Sequence, residues 1–322
     1  MKTKYLLSLT LVLIFLAFES QASDITGKSL KIRVYLQGAL MKSGVFYSAS
    51  GKKLMRDNLR VNPFDGKNYI PASDPYQTTV GLVNLSKSNR HIGAGSTPSF
   101  CKIDNPTKVF GVTGENAIVD WIFIEIRSAQ FSNQVITTRS GLLQRDGDVV
   151  DVDGVSDLSF PDLTASQFYV VVKHRNHISA MSSLVDGSSV VDFTKPETPL
   201  FTFSSGLSEM NYQGLGQHKS TEYKVMALWA GDANSDCAVK KTMESDDLNV
   251  IFIENQRFFK TNVASGAIGY YQGDIDMNGR VKYDGSGDDS SIFMSILKEF
   301  SLNKLKLENF SHFIEQLPAR IN

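Results

Sequence analysis

Two short segments place oxygen-bearing side chains at alternate positions: Asp232-Ala233-Asn234-Ser235-Asp236 and Asp274-Ile275-Asp276-Met277-Asn278. A hard cation such as Ca²⁺ takes about 6–8 oxygens at roughly 2.3–2.6 Å, and donors at alternate positions of a tight loop fold three of them onto one ion. Each segment carries an aliphatic residue just beyond, Val239 or Val281, and then meets an acid pair at the same distance, Asp246-Asp247 or Asp288-Asp289. A single segment of this kind reads as an Asp/Asn-rich turn with no ion. Two with matching internal spacing form a repeat, and the repeat favours the cation.

The spacing predicts two Ca²⁺ sites. Site one takes side-chain oxygens from Asp232, Asn234, Asp236 and Asp247 and the backbone carbonyl of Ala238. Site two takes Asp274, Asp276, Asn278 and Asp289 and the carbonyl of Arg280. The closing acid falls four residues later than in a 12-residue EF-hand loop, in both copies. The extra segments, Lys240-Lys241-Thr242-Met243 and Lys282-Tyr283-Asp284-Gly285, are expected to bulge outward. Gly279 supplies the turn in site two, whereas Cys237 stands there in site one, so the second site is expected to bind more tightly. Mg²⁺ is disfavoured because it wants a tighter octahedron and keeps its waters. Asp246, Asp247, Asp288 and Asp289 also stand where helices begin, and capping of orphan N–H groups competes with metal binding for them.

Other chemistry is weaker. His174 and His177 in His174-Arg175-Asn176-His177 would fall on opposite faces of a continuous strand, so they share no zinc unless a turn intervenes, and the segment reads as a polar strand end and turn hydrogen-bonded to neighbouring loops. Arg145-Asp146-Gly147-Asp148 reads as a hairpin turn. Asp120 and Glu125 lie in one strand on opposite faces, which excludes them as a glycosidase pair. The chain has no G-x-S-x-G, P-loop or dinucleotide fingerprint. A non-catalytic protein is the better expectation.

Residues 28 to about 195 read as β. Leu30, Ile32, Val34 and Leu36 alternate with polar residues, Ile118 to Ile126 forms an apolar central strand, and Val135 to Thr138 and Phe168 to Val172 add further strands. Leu142 to Arg145 and Val149 to Val152 flank Asp146-Gly147-Asp148 as a hairpin. Many short strands with Gly, Asn and Asp turns predict a β-sandwich over residues 23–195. Residues 39–115 are Gly-, Pro-, Ser- and Asn-rich, so long loops with no convergent chemistry are expected there. Residues 196–228 read as a connection. Over residues 229–322 each acidic loop precedes a helix. Val250, Ile251, Ile253 and Phe258 support the first, and Ile292, Phe293, Ile296, Leu297 and Phe300 form an apolar stripe on the second. The fold expectation is mainly β: an N-terminal sandwich followed by a small α-helical calcium-binding module.

Lys2 and Lys4, the apolar run Leu6 to Phe18 and Ser20-Gln21-Ala22 read as a signal peptide over residues 1–22, giving a mature chain from about Ser23. The run is too short to span a bilayer comfortably, and no other stretch is apolar enough. The expected location is extracellular or at the cell surface, with the periplasm as an alternative. Ca²⁺ is abundant in such places, and extracellular modules bind it at about 10⁻⁴–10⁻³ M. Lys and Arg total 33 against 34 Asp and Glu, so no basic footprint points to nucleic acid. Cys101 and Cys237 are too few for a disulfide framework, although one bridge is possible in an oxidising compartment.

The duplicated loop and helix resembles the type I dockerin module, whose usual pattern is D-x-N-x-D-G-x-V; the two loops read Asp232-Ala-Asn-Ser-Asp-Cys-Ala-Val239 and Asp274-Ile-Asp-Met-Asn-Gly-Arg-Val281. Ala117 to Trp121, Leu142 to Asp151, His174 to His177, Leu228 to Asn234, Val281 to Tyr283 and Glu315 to Pro318 together resemble a signature of secreted Bacteroidetes hemagglutinin-like and dockerin-like surface proteins. That resemblance implies a β domain joined to a dockerin-like Ca²⁺ tail. It implies adhesion or binding at the cell surface, with a cohesin-like protein or a glycan as partner. Its alternative is a carbohydrate-binding or carbohydrate-active protein docked into a polysaccharide-degrading assembly.

Overall fold

A computed structural model describes residues 27–41, 46–203, 216–241, 246–258, 264–300, 303, 305–306 and 312–321. The expected signal peptide lies outside the described residues. Seven strands form one mixed sheet: β1 (Ile32–Arg33), β2 (Ile118–Ser128), β3 (Val135–Gln144), β4 (Asp148–Val150), β5 (Phe168–His174), β6 (His177–Met181) and β7 (Val191–Asp192). Across the sheet the order is β6-β5-β2-β3-β4-β1-β7. Neighbours are antiparallel except β1 and β7. The apolar run from Ile118 becomes the central strand, and its first ten residues are buried. Val135 to Thr138 and Leu142 to Gln144, separate in the sequence reading, join into β3. The Asp146-Gly147-Asp148 turn links β3 to β4, with Gly147 at φ +96°.

The chain is mainly β, but the expected β-sandwich is corrected. Among the described residues the remaining strands make six two-stranded ribbons, not a second sheet. Loops from residues 46–115 cover the sheet instead. Trp121 Nε1 donates to Pro71 O at 2.9 Å, and the rings of Tyr76 and His91 pack on Phe123 at 5.3 and 4.9 Å between centroids. The physical reason is the turn-forming composition of that stretch, which favours short helical turns over paired strands.

The C-terminal part contains β8 (Ala238–Lys240), α1 (Asp247–Phe258), β9 (Ala267–Ile268), β10 (Arg280–Val281), α2 (Asp289–Glu299) and β11 (His312–Ile314). β8 pairs with β11 and β9 with β10, both antiparallel. A second, smaller core gathers Trp229, Val239, Ile251, Ile275, Val281, Phe293, Ile296, Leu297 and Phe300. The predicted stripe on α2 is buried there, with Ile292 partly buried. On α1, Ile251 faces inward but Ile253 is 39% exposed. Glu254 occupies the inward face next to it, for a reason given below. The connection expected over 196–228 is woven into the large core through Tyr223, Val225, Ala227 and Leu228, and Met226 N donates to Thr194 O.

The sheet buries two carboxylates inside ion networks. Glu125 meets Arg127 at 2.7 Å, Lys173 at 3.2 Å and Arg320 at 3.2 Å. Asp120 meets Arg175 at 2.9 Å and His174 at 3.1 Å and accepts from Tyr270 Oη at 2.6 Å. Burial opposes ionisation of both. It is outweighed by Lys173, Arg127 and Arg320 at Glu125 and by Arg175 and His174 at Asp120, so both carboxyls are held at about 2. Unfolded carboxyls titrate near about 4. The stabilisation is therefore complete above about pH 4 and is lost as pH falls through about 2. Each group should contribute on the order of 2–3 kcal/mol over that window, read by urea unfolding at a series of pH values. Glu125→Gln should flatten the acid limb and cost about 3–5 kcal/mol at neutral pH, because it strands buried cations.

Candidate metal centre

Both acidic loops fold the same way, with Asp274 standing 42 positions after Asp232. The first acid of each loop accepts two consecutive backbone N–H groups. Asp232 takes Asp236 N at 3.0 Å and Cys237 N at 3.1 Å; Asp274 takes Asn278 N and Gly279 N, both at 2.9 Å. The closing acid bridges the loop to the strand beyond it. Asp247 accepts from Asn234 N at 3.1 Å and Lys240 N at 2.8 Å; Asp289 accepts from Ile275 N and Lys282 N, both at 2.8 Å. The third-position side chain accepts from the fifth-position N–H in each, Asn234 from Asp236 at 2.9 Å and Asp276 from Asn278 at 3.1 Å. The backbone turns through left-handed residues at matching places: Ser235 and Met277 at φ +57° and +54°, then Cys237 and Gly279 at +71° and +83°.

The acid pairs divide their labour. Asp288 caps α2 by accepting from Ser291 N at 2.7 Å, while Asp289 turns into the loop. Asp246 accepts from Leu248 N at 2.8 Å, while Asp247 turns inward. In site two, Asp274, Asp276 and Asp289 each present a carboxylate oxygen within 4.8 Å of the others, and all three are buried. Asn278 Oδ1 is buried with no hydrogen-bond partner among the described residues. Ala238 and Arg280, expected to offer carbonyls, are the first residues of β8 and β10. The outward bulge expected after loop two is only partial: Lys282 is buried and Tyr283 N donates to Asn255 Oδ1 at 3.0 Å, whereas Asp284 and Gly285 are exposed; in loop one Thr242 and Met243 lie outside the described residues.

The charges are as repetitive as the backbone. Each site holds three carboxylates and one paired cation. Lys240 Nζ lies 2.6 Å from Asp236, and Arg56 Nη1 lies 2.9 Å from Asp276. Two negative charges are left over in each site, the charge of one divalent cation. Without one, the first and closing acids of each loop are pushed towards the neutral form. Burial, then the Asp276 charge, raises Asp274 to about 7. Burial raises Asp289, Asp232 and Asp247 well above the usual range, reinforced by Asp276, Asp236 and Asp232 respectively.

Residues outside the repeat hold site two. Asn62 Nδ2 donates to Gly279 O at 2.9 Å, and Asn176 Nδ2 donates to Gln272 O and Asp274 O, both at 2.9 Å. Glu254 on α1 accepts from Gly273 N at 2.8 Å, which is why the first helix turns that acid inward. Gly38 lies so close to the Ile275 carbonyl that any Cβ would strike it. Spacing within the acidic loops could not reveal Arg56, Asn62 or Asn176, because they stand 220, 217 and 98 positions upstream of Asp276, Gly279 and Asp274, the residues they hold.

His174 and His177 do meet, because Arg175 and Asn176 form a turn between β5 and β6 and break the strand alternation. Their Nδ1 atoms are 2.9 Å apart. Gly38 N donates to His177 Nε2, which leaves the His177 proton on Nδ1, between Asn176 Oδ1 at 2.8 Å and His174 Nδ1; His174 Nε2 donates to Asp120. No ring nitrogen is left for a metal. Cys101 and Cys237 are both free thiols. Comparison of the chain with protein-family models, with curated proteins and with solved structures gave no match.

Gly279 tests the loop geometry directly. Its φ of +83° strains any L side chain, and a Cβ would collide with the Asn62 amide. Gly279→Ala should cost at least about 1–2 kcal/mol from the left-handed backbone alone. Chemical denaturation of the purified variant checks this, and an unchanged midpoint would refute the geometry.

Proposed function

We propose that this is an exported, non-catalytic binding or adhesion protein of the cell surface. Its two acidic loops bind Ca²⁺ and thereby fix a dockerin-like C-terminal part onto its own β domain. The observation that carries this reading is the matched pair of loops, each with three carboxylates and one amide, the same N–H cradle and the same two uncompensated negative charges. Buried carboxylates, three in site two and two in site one, are costly to keep charged beside a single cation, and a divalent ion removes that cost. Oxygen-only donor sets favour Ca²⁺ over softer metals. The orphan Asn278 Oδ1 supplies an unused acceptor of the kind such an ion takes.

Docking onto the same chain is favoured over capture of a cohesin-like partner by the contacts of loop two. Arg56, Asn62, Asn176 and Gly38 all belong to the part of the chain before residue 195, and together they cover the loop. A surface already covered in this way is poorly placed to recognise a second protein. Glycan binding by the sheet domain fits the same reading, with the tail serving as a calcium-set brace.

Thermal melts of the mature chain in Ca²⁺ and in EDTA test it. At a hundredfold excess over Kd one site contributes about 2.7 kcal/mol, which should raise Tm by roughly 4 °C for a chain of this size. Asp274→Asn and Asp232→Asn should each remove part of the shift, with the larger loss for Asp274→Asn. A wild-type melt indifferent to Ca²⁺ would falsify the reading.

A further inference from the structure

The loops covering β2 bring together three donors of different chemistry. Asp74 caps the turn Pro75–Gln77, accepting from Tyr76 N through Oδ1 at 2.8 Å. His91 follows the turn Leu85–Ser88, and Cys101 closes the turn Pro98–Phe100. One ligand atom from each lies within 4.8 Å of the other two. The Asp74 and His91 side chains are 1% and 6% exposed, and Cys101 is 9% exposed. The expectation that residues 39–115 hold no convergent chemistry is thus corrected: three separate turns, each unremarkable in sequence, deliver their donors to one place.

The imidazole of His91 stands between two oxygens. Thr138 Oγ1 accepts from Ile92 N at 2.9 Å and lies 2.9 Å from His91 Nδ1 and 3.2 Å from Ile92 O. Nε2 stands 2.7 Å from Asp74 Oδ2, so it carries a hydrogen towards the carboxylate in the metal-free chain. A cation can take the place of that hydrogen, with the imidazole proton then on Nδ1, facing Thr138 Oγ1. The thiol does not pair with the imidazole as a catalytic Cys–His dyad requires. Its partners are Gln77 Nε2 at 2.7 Å and the carbonyls of Gly95 and Thr97.

We propose that Asp74, His91 and Cys101 form a binding site for Zn²⁺ or a divalent transition ion of similar character, separate from the acidic loops. A set of one oxygen, one nitrogen and one sulfur suits zinc and does not suit Ca²⁺. Bonds of about 2.0–2.3 Å in a tetrahedron place ligand atoms roughly 3.3–3.6 Å apart. The present cluster brackets that spacing, with 2.7 Å between Asp74 and His91 and 4.8 Å as the outer limit. Thr138 Oγ1 lies 2.9 Å from Nδ1 and can accept its hydrogen once Nε2 binds the ion, as the outer partner of a metal-bound imidazole does. Tyr76 N holds Asp74 Oδ1 and leaves Oδ2 for the ion. Binding forms a metal–thiolate bond in place of S–H, and the thiol proton goes to solvent. Three protein ligands leave the fourth position to water.

The test uses the full mature chain in excess Ca²⁺, which keeps the acidic loops occupied, with Co²⁺ as the probe. One equivalent should produce a thiolate-to-cobalt charge-transfer absorption that Zn²⁺ displaces. The band should persist in Cys237→Ser, vanish in Cys101→Ser, and need at least about tenfold more Co²⁺ in His91→Gln, the loss common when a metal-site partner is removed. A wild-type chain without the band, or a band that follows Cys237, would overturn the proposal. A second readout needs no variant: Zn²⁺ should slow alkylation of Cys101 in the wild-type chain, mapped by peptide mass spectrometry. An unchanged rate there would overturn it equally.

Discussion

The burial of negative charge in two loops governs the C-terminal part of this protein. Asp232, Asp247, Asp274 and Asp289 are almost inaccessible to solvent. Moving a carboxylate out of water costs several kcal/mol even after the surroundings relax. Part of that cost is offset by the backbone, since each of these acids accepts two N–H groups. Consecutive N–H groups can converge on one carboxylate only where the chain turns through left-handed residues, and such turns make anion-binding concavities. The positive φ values at Ser235, Cys237, Met277 and Gly279 are therefore the backbone consequence of the electrostatics. Three of those residues are not glycine, so the strain is carried because the charges require it.

The two loops differ in sequence in a way that preserves charge. The third position is Asn234 in one and Asp276 in the other, and the fifth is Asp236 in one and Asn278 in the other. The extra acid moves, and the cation moves with it. Lys240 comes from four residues along the same loop, whereas Arg56 comes from the opposite end of the chain. Loop one thus balances itself locally, and loop two depends on the β domain for its balance. Loss of Arg56 would leave a buried acid unpaired, while Lys240, on the solvent side of its loop, is the more dispensable partner.

The repeat, its spacing and the helix after each loop were legible in the sequence because each rests on neighbours along the chain. The division between Asp288 as cap and Asp289 as inward acid followed from the two orientations that those roles need. The central strand was legible from its apolar run. The sandwich was not, because alternation says which residues are buried and does not say whether a second sheet or a set of loops buries them. The turn at Arg175-Asn176 was legible from its polar residues, whereas the meeting of the His174 and His177 rings across it was not, because spacing alone does not say how a turn aims its flanking side chains. Arg56, Asn62 and Asn176 were missed because their partners lie far away in sequence, and neither periodicity nor spacing carries that information.

The turn between β5 and β6 explains how the two halves of the chain come to depend on each other. The Arg175 carbonyl accepts from Ser235 Oγ in loop one at 2.6 Å and from Gln272 Nε2 beside loop two at 2.7 Å. The Asn176 carbonyl accepts from Gly231 N at 3.0 Å, while its side chain reaches Asp274 O. The Arg175 guanidinium meets Asp120 on the central strand, Tyr271 O and the face of Tyr270. One hairpin tip thus touches both loops and the middle of the sheet. Its residues are buried, and every side-chain nitrogen of the tip except Arg175 Nη2 has a hydrogen-bond partner among the described residues. Both loops thus bond to the same two residues, Arg175 and Asn176, and a displacement of the tip would break bonds to both at once, at the cost that unmade buried hydrogen bonds carry.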